Sequence, residues 1–266
     1  MTTAIIIPAR YASSRFPGKP LAPLKGASGL SKPLVQRSIE AARTVQGVDH
    51  LFVATDDERI ANVALECGAQ IAMTPPECAN GSERVGAALP SLPEDVDVIV
   101  NFQGDALLTP PDLVSMLIAH MHEHPNCEVA TVAVRCSPTV YAHLVNDQAH
   151  GRVGGTTVVC NARNEALYFS KRVLPHIAVG STYEDSPPVL LHLGLYAYRS
   201  SALERYAALA TTDLEAIEGL EQLRFLFYGI PVAVVVADPP EWDAIELNNP
   251  SDTGPIEAIL SARGIV

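Results

Sequence analysis

A chain of 266 residues with 48% hydrophobic content is long enough to bury a substantial core, as one large domain or as one domain with an excursion. Its formal net charge of −12 argues against general nucleic-acid binding, because that function needs a basic face. The five cysteines are scattered and contain no C-x-x-C pair, so they indicate neither a disulfide framework nor a zinc site. No apolar run approaches membrane-spanning length, and no basic segment precedes the first apolar run, which begins at Ile5. We therefore expect a cytoplasmic protein without a signal peptide or membrane contact.

Strand-like and helix-like segments alternate through the first half of the chain, which favours a mostly parallel sheet with helices on both faces. The strands predicted there are Ala4–Pro8, Leu51–Ala54, Gln70–Met73, Val96–Asn101 and Val129–Val134. The helices predicted between them are Pro33–Thr44, Glu58–Glu66, Ser82–Leu89 and Pro110–His122. Because right-handed crossovers bring parallel strands to end at one edge of a sheet, the loops after these strands should meet there.

The second half changes character, since a hairpin and shorter elements replace the regular alternation. The predicted elements are strands at Thr156–Cys160, Ala166–Ser170, Leu190–Tyr198 and Pro231–Val236, and helices at Leu203–Ala207, Glu218–Tyr228 and Asp252–Ala262. No linker separates two domains. We therefore expect a single α/β domain over residues 1–266, with a mixed sheet and a small β excursion in the second half.

The first predicted strand runs directly into a loop that carries three cations, Arg10, Arg15 and Lys19, with a turn at Pro17-Gly18. Open α/β sheets bind ligands at the carboxyl ends of their strands. Three cations within ten residues suit a triphosphate, because each can neutralise a different oxygen and arginine can do so with two hydrogen bonds. A solvated basic turn is the alternative. Neither a Walker A loop nor a dinucleotide-binding glycine motif is present.

Two further segments follow predicted strands and carry polar side chains. Asp105 comes after Val96–Asn101, where a carboxylate can hold Mg²⁺ together with substrate phosphates, although a helix cap or a turn residue fits its position equally well. Ser82 and Arg84 lie at the start of a predicted helix, where backbone N–H groups and an arginine can contact an anion or a base edge. The alternative is that Ser82 is an N-cap and Arg84 a solvated first-turn residue.

The cationic loop resembles the start of the CMP-sugar synthetases, whose signature reads I-P-A-R-x-x-S-x-R-x-P-G-K-P. The signature is filled without a gap by Pro8, Ala9, Arg10, Ser13, Arg15, Pro17, Gly18, Lys19 and Pro20. Further matches follow in the family's order over about residues 4–260. The resemblance implies a nucleotide-diphospho-sugar-transferase type of α/β fold, Mg²⁺ dependence and a homodimer. It also implies transfer of CMP from CTP to the anomeric hydroxyl of a keto sugar acid such as 3-deoxy-manno-octulosonate (KDO), with release of pyrophosphate.

The resemblance implies that about residues 1–135 bind the nucleotide. The residues it places at CTP are Ala9, Arg10, Arg15, Lys19, Thr55, Ser82, Arg84 and Gln103. The resemblance also implies that Arg10 and Lys19 act in catalysis together with Asp105, which stands in the family's Q-G-D segment and corresponds to a magnesium ligand.

The resemblance implies that about residues 136–235 bind the sugar acid and form the dimer. Three segments match family motifs there: residues 166–171 (A-L-Y-F-S-R), 192–199 (H-x-G-x-Y-x-Y-R) and 218–224 (E-x-L-E-Q-L-R). The residues expected to contact the sugar acid are Lys171, His192, Tyr196, Tyr198, Glu221 and Gln222. The histidine and the two tyrosines alternate along one strand and should share a face. A histidine in such a strand is otherwise a core residue.

The chain departs from the family pattern at several places. Ala106 and Leu107 replace a Glu-Pro pair, Lys171 replaces an arginine and loses its bidentate fork, and a family cation is missing at Thr157. Aligned on the proline at position 250, Asn248 stands where the family has its second magnesium carboxylate. We expect Asn248 to be the second ligand, and Glu246 and Asp243 are the alternatives.

These departures leave other functions open. One is a cytidylyltransferase for another acid, namely an amino-KDO, another nonulosonate or a phosphonate. The other is a nucleotide-binding homologue whose catalysis is weakened.

Overall fold

The computed structural model describes residues 1–12, 16–105, 107–184, 186–242 and 245–266. The chain divides into two compact units. The first comprises Met1–His122 and Pro240–Val266, and the second comprises Glu123–Pro239. Within the described part of the chain, no helix has the length and apolar content needed to cross a membrane.

The first unit is built around a parallel sheet. Its elements in chain order are β1 (Thr2–Ala9), β2 (Pro23–Lys25), β3 (Ser31–Pro33), α1 (Leu34–Ala42), β4 (His50–Thr55), α2 (Glu58–Glu66), β5 (Gln70–Met73), α3 (Gly81–Ala87), β6 (Val96–Asn101) and α4 (Pro111–Glu123). The sheet order is β6-β1-β4-β5 and every pairing is parallel. Residues 4–7 of β1 are completely buried, as expected for a strand with helices on both faces of its sheet.

The second unit holds a mixed sheet and several short helices. Its elements in chain order are β7 (Val129–Arg135), α5 (Pro138–Ala149), β8 (Thr156–Cys160), β9 (Ala166–Ser170), β10 (Leu190–Tyr198), α6 (Ser200–Ala208), α7 (Asp213–Glu218), α8 (Leu223–Phe227) and β11 (Ala233–Ala237). Strand β7 pairs antiparallel with β10 and parallel with β11, and β8 pairs antiparallel with β9 and β10. The chain then returns to the first unit and ends with α9 (Thr253–Ala262).

The fold prediction is confirmed: the protein is α/β, with strands and helices in the predicted order. Strands β2 and β3 and helix α5 were not predicted. The β2–β3 hairpin is only three residues long on each side, and α5 buries just one residue, Leu144, so neither leaves a strong apolar pattern in the sequence.

The helix predicted over Glu218–Tyr228 is wrong as a single element. The structure has two helices there, α7 and α8, with Gly219 between them in the left-handed conformation at φ 61°. A glycine adopts this conformation without steric cost and ends the first helix. The assignment of residues 1–135 to the nucleotide and 136–235 to the sugar acid stays a prediction.

Candidate active site

A cleft of about 270 Å³ opens at the carboxyl edge of the parallel sheet in the first unit. The strand register explains the position of the cleft. Ala9 of β1 lies opposite Thr55 of β4, and Thr55 lies opposite Met73 of β5. The segments that follow these strands therefore reach one place. The cleft is lined by Pro8, Ala9, Arg10, Lys19, Pro20, Leu34, Cys78, Asn80, Gly81, Arg84, Gln103, Gly104 and Asp105.

Lys19 and Asp105 form an ion pair at the cleft, with Nζ 2.5 Å from Oδ2. The two side chains are 17% and 19% exposed, so each can still reach a ligand. Lys19 follows Gly18, whose φ of 70° makes the turn predicted for Pro17-Gly18. Arg10 lines the same cleft and is exposed to solvent. The third predicted cation, Arg15, lies outside the described residues.

The backbone next to Asp105 is held tightly against β1. A Cβ added at Gly104 would lie only 2.5 Å from the carbonyl oxygen of Pro8, so no larger residue fits there without a backbone shift. The Ser38 hydroxyl donates to the Gly104 carbonyl oxygen at 2.8 Å. The Gln103-Gly104-Asp105 segment is therefore positioned by contacts on both sides.

Arg84 is buried, with 2% of its side chain exposed, so the alternative of a solvated first-turn residue is wrong. Its Nη1 donates to the Thr74 hydroxyl at 2.6 Å and lies 3.7 Å from Oδ1 of Asp56. Its Nη2 is buried and has no hydrogen-bond partner within the described part of the chain. A buried donor of this kind is costly unless something binds to it, which makes Nη2 a candidate ligand contact.

Thr55, the last residue of β4, and Ser82, in α3, are both buried. Thr55 is fully buried, its carbonyl oxygen accepts from Thr74 N at 2.8 Å, and its hydroxyl accepts from Asp57 N at 3.2 Å. Ser82 is 1% exposed and is not the N-cap of α3, because Asn80 accepts from Glu83 N at 2.8 Å in that role. Neither of the two predicted residues lines the cleft.

A backbone hydrogen bond joins the chain's last segment to Asp105. Leu247 N donates to the Asp105 carbonyl oxygen at 3.1 Å, and Asn248 Nδ2 donates to Glu246 Oε2 at 3.2 Å. Among the described residues, no three acidic, histidine or cysteine side chains are grouped so that they could hold a metal ion by themselves. Two carboxylates and one amide oxygen are nevertheless the donor types that Mg²⁺ accepts. Asp243 and Ala106 lie outside the described residues.

The predicted aromatic face of β10 lies inside the second unit. His192, Tyr196 and Tyr198 are 9%, 3% and 0% exposed, and a register shift interrupts the strand pairing between Leu193 and Tyr196. The His192 ring is tilted against that of Tyr196, with centroids 5.4 Å apart, and the Tyr196 ring stacks on that of Tyr198 at 5.8 Å. They share one side, as the alternation predicts, and their contact with a sugar acid stays a prediction.

His192 is a neutral hydrogen-bonding residue at physiological pH. Burial lowers the pKa of its imidazole to about 3. Its Nε2 lies 2.9 Å from the Thr131 hydroxyl, and its ring lies 4.9 Å from that of Phe169. It can therefore orient a ligand but not supply a positive charge.

The E-x-L-E-Q-L-R segment contains one residue of a buried ion pair and the two residues expected to contact the sugar acid. Arg224 makes two hydrogen bonds to the carboxylate of Glu215, at 2.6 and 2.7 Å, and both side chains are buried. Gln222 is 2% exposed, and within the described ranges its Nε2 donor has no partner. Glu221, beside it, is half-buried.

The predicted contact Lys171 lies close to the end of α7. Its Nζ is 2.9 Å from where a Cβ would stand on Gly219. The carboxylate of Glu218 accepts from Lys171 N at 3.0 Å and from the Ser170 hydroxyl at 2.7 Å. We did not predict this role for Glu218, although it is the first residue of the matched motif.

Two departures from the family pattern have structural explanations. Leu107 is 5% exposed and packs in an apolar cluster with Leu247 and Ile256. The Thr157 hydroxyl donates to the Arg172 carbonyl oxygen at 2.6 Å and accepts from Leu174 N at 3.1 Å. Both residues therefore stabilise the local structure.

Asn101 was not predicted as part of the site. It is the last residue of β6, is fully buried, and neither atom of its amide has a partner in the portion of the chain that the structure describes. Its Nδ2 and the Nε2 of Gln103 lie 3.2 and 3.3 Å from where a Cβ would stand on Gly81. The sequence signal that could have identified Asn101 as a site residue is its position two residues before Gln103.

A parallel sheet that presents a lysine, an arginine, a buried guanidinium and a carboxylate at one edge is typical of nucleotide-using α/β enzymes. Residues 4–232 match the family model described as cytidylyltransferase, and the chain belongs to this family. The expected nucleotidyltransferase activity is thereby confirmed.

The relatives cover the whole chain. It is 40% identical to the 3-deoxy-manno-octulosonate cytidylyltransferase of Maricaulis maris (strain MCS10), over 99% of each protein. It is 37% identical to the 8-amino-3,8-dideoxy-manno-octulosonate cytidylyltransferase of Shewanella baltica (strain OS155), over 98% of this chain and 99% of that protein. The solved structure of CMP:2-keto-3-deoxy-manno-octonic acid synthetase complexed with CTP superposes with a TM-score of 0.84, at 30% identity, over 99% of this chain and 100% of the other. The resemblance to the CMP-sugar synthetases is confirmed.

Proposed function

We propose that this cytidylyltransferase uses CTP to activate 3-deoxy-manno-octulosonate. The KDO hydroxyl oxygen forms a bond to the α-phosphorus and gives its proton to solvent water. The bond from that phosphorus to the β-phosphate bridging oxygen breaks, and pyrophosphate leaves. The observation that carries the proposal is the cleft with Arg10, Lys19, Arg84 and Asp105, in a chain similar throughout to KDO cytidylyltransferases.

The cleft favours catalysis by positioning and charge neutralisation, without a covalent enzyme intermediate. Arg10 and Lys19 stand where they can hold oxygens of the triphosphate, and Lys19 is kept at the cleft by its ion pair with Asp105. The Nη2 of Arg84 is a buried donor that a nucleotide can satisfy. Charge that develops on the departing pyrophosphate is stabilised by the same cations.

We propose Mg²⁺ as the cofactor, held by Asp105 with Asn248 or Glu246 and by the substrate phosphates. When bound, the ion would add to the charge neutralisation that the cationic side chains provide. The hydrogen bond from Leu247 N to the Asp105 carbonyl oxygen supports this set, because it holds the last segment beside Asp105.

The magnesium ligands can be told apart by titrating activity against Mg²⁺. If Asn248 is the second ligand, Asn248→Asp adds a formal charge and should lower the magnesium concentration for half-maximal activity. An unchanged requirement in Asn248→Asp, together with lost activity in Glu246→Gln, would instead assign the ligand to Glu246.

We propose that the sugar acid contacts the second unit. The buried Nε2 of Gln222 supports this, because the donor lacks a partner among the described residues. Glu221 beside it, Lys171, and the ring group of His192, Tyr196 and Tyr198 complete the proposed set. The similarity to an 8-amino-3,8-dideoxy-manno-octulosonate enzyme makes that amino sugar the second candidate substrate.

Pyrophosphate release tests the proposal directly. The purified enzyme is given each of CTP, UTP, ATP and GTP with KDO, 8-amino-3,8-dideoxy-KDO or N-acetylneuraminate. We expect release with CTP and KDO above all other pairs. Preference for the amino sugar would favour the second candidate. No CTP-dependent release with any acid, from a folded protein, would contradict the proposed activity.

We propose that the enzyme is a homodimer formed through the second unit. Apolar side chains are exposed there on β9, α7 and α8: Leu167 is 61%, Ile217 80% and Phe227 58% exposed. The Glu218 carboxylate joins the end of α7 to β9, which supports a continuous patch. Sedimentation should show a dimer, and Ile217→Ser with Phe227→Ser should give monomers. A monomeric wild type would contradict the proposal.

A further inference from the structure

Tyr11 occupies a position that the family signature leaves open, between Arg10 and the turn before Lys19. Its carbonyl oxygen accepts a hydrogen bond from Gly18 N at 3.0 Å, which joins Tyr11 to the Gly18 turn. Its backbone N donates to Asp56 Oδ1 at 3.4 Å. Tyr11 is therefore hydrogen-bonded to the Gly18 turn before Lys19 and to Asp56 after β4.

The Tyr11 ring contacts the turn as well. A Cβ on Gly18 would lie 3.3 Å from the ring's Cε2 atom, so the ring packs directly against the glycine. Gly18 has a φ of 70°, a left-handed conformation that L side chains rarely adopt. Ring packing and the backbone hydrogen bond together hold this conformation.

Arg59 covers the ring from the amino end of α2. Its guanidinium carbon lies 3.7 Å from the ring centroid, a cation–π contact. Asp57 holds this guanidinium by hydrogen bonds of 3.0 and 2.6 Å, and it also caps α2 by accepting from Arg59 N at 2.9 Å. The guanidinium that contacts the Tyr11 ring therefore belongs to the capped first turn of α2.

We propose that Tyr11 is a positioning residue that places Lys19 against the triphosphate. Tyr11, Gly18, Asp57 and Arg59, here called the Tyr11 clasp, fix the turn whose next residue is Lys19. Lys19 N donates to the Phe16 carbonyl oxygen at 3.1 Å, so the backbone of Lys19 belongs to the same turn. The inference rests on the proposed function, because Lys19 must meet a phosphate for its position to matter.

The first experiment separates the ring from the hydroxyl by measuring KM for CTP and kcat. Tyr11→Phe keeps the ring and should stay within about twofold of wild type, whereas Tyr11→Leu should raise KM for CTP about tenfold. Arg59→Gln should raise KM about threefold by removing the cation–π contact. The matched control is Arg152→Gln, since Arg152 also pairs with an aspartate and is 57% exposed, against 58% for Arg59. An unchanged KM in both Tyr11→Leu and Arg59→Gln overturns the proposal.

A double-mutant cycle tests whether the clasp acts through Lys19. CTP binding is measured by calorimetry in wild type and in Lys19→Ala, each with and without Tyr11→Leu. The proposal expects Tyr11→Leu to weaken binding only when Lys19 is present. Equal weakening in both backgrounds overturns it.

Arg59→Gln replaces Tyr11→Leu in the cycle if thermal unfolding shows that the leucine variant does not fold. Failure of the proposed function is a separate outcome. It would appear as wild-type enzyme that binds CTP without releasing pyrophosphate with any keto sugar acid, and the binding cycle would still decide the role of Tyr11.

Discussion

The cleft of the first unit and the interior of the second both contain an ion pair, but the two pairs differ in their exposure to solvent. Lys19 and Asp105 lie at the cleft, with 17% and 19% of their side chains exposed. Arg224 and Glu215 are closed inside the second unit, with 3% and 8% exposed. A solvent-accessible pair can exchange partners with a ligand, whereas a buried bidentate pair is tied to the stability of the fold. We therefore expect the same kind of contact to serve binding in one unit and folding in the other.

The largest effect on stability is expected from Glu215→Leu. The substitution leaves the Arg224 guanidinium buried without its carboxylate, which typically costs about 3–5 kcal/mol. The control is Arg152→Gln, which breaks an exposed pair and should cost about 1 kcal/mol or less. Urea unfolding followed by circular dichroism measures both, and equal effects would remove the contrast between the two regions.

Lys19→Ala should do the reverse, with a large loss of turnover and little loss of stability. Removing one charged transition-state contact typically costs about 3 kcal/mol, or roughly a hundredfold in kcat. Lys25→Ala is the control, because that lysine is exposed on the β2–β3 hairpin. Steady-state pyrophosphate release and thermal unfolding together check the prediction. A Lys19→Ala enzyme with near-normal turnover would place Lys19 in solvent.

Two glycine-to-alanine substitutions, one beside the cleft and one at the surface, should change stability in opposite directions. Gly104→Ala pushes a methyl group to 2.5 Å from the Pro8 carbonyl oxygen and should destabilise the protein by about 1–3 kcal/mol. Gly254→Ala, in the first turn of α9, meets nothing within 4 Å and should stabilise it by about 0.5–1 kcal/mol. Thermal unfolding gives both signs. A Gly104→Ala protein as stable as wild type would show that β1 and the Asp105 segment are loosely joined.

His192 adds a pH dependence to the stability of the second unit. Its folded pKa, about 3, lies below the ordinary value of 6.5, so the unfolded state binds the proton more tightly. Stability from the neutral imidazole is present above pH 6.5 and is lost as the pH falls toward 3, by up to about 1.4 kcal/mol per pH unit. Unfolding free energies of wild type and His192→Gln should therefore converge between pH 6.5 and 4.5. Parallel curves would mean that His192 is not buried as a neutral group.

Sequence reasoning could bring Arg10, Lys19 and Asp105 to one cleft because the position of the cleft depends on strand ends. Apolar runs mark β1 and β6, and the carboxyl ends of parallel strands share an edge, so Arg10 and Asp105 could be placed there. The burial of Arg84 could not be foreseen, since it depends on Thr74 and Asp56, which register between β4 and β5 brings to its guanidinium.

The second unit was harder to predict for a physical reason. Alternation along β10 identifies a shared face, but it does not say whether that face is a pocket or the core. The burial of His192 and Tyr198 depends on rings from other elements, namely Phe169 of β9 and Phe225 of α8. The break at Gly219 depends on a left-handed backbone conformation that the helical spacing of apolar residues does not reveal.

The central claim is that the cleft's cations hold the triphosphate of CTP. Calorimetric dissociation constants for cytidine, CMP, CDP and CTP test it, in wild type and in Lys19→Ala. In wild type, affinity should rise with each added phosphate. In Lys19→Ala, affinity for CMP should be unchanged, while affinity for CTP should fall about tenfold to a hundredfold, as expected for one lost charged contact. Equal losses for cytidine and CTP, or none for either, would contradict the assignment of the triphosphate to this cleft.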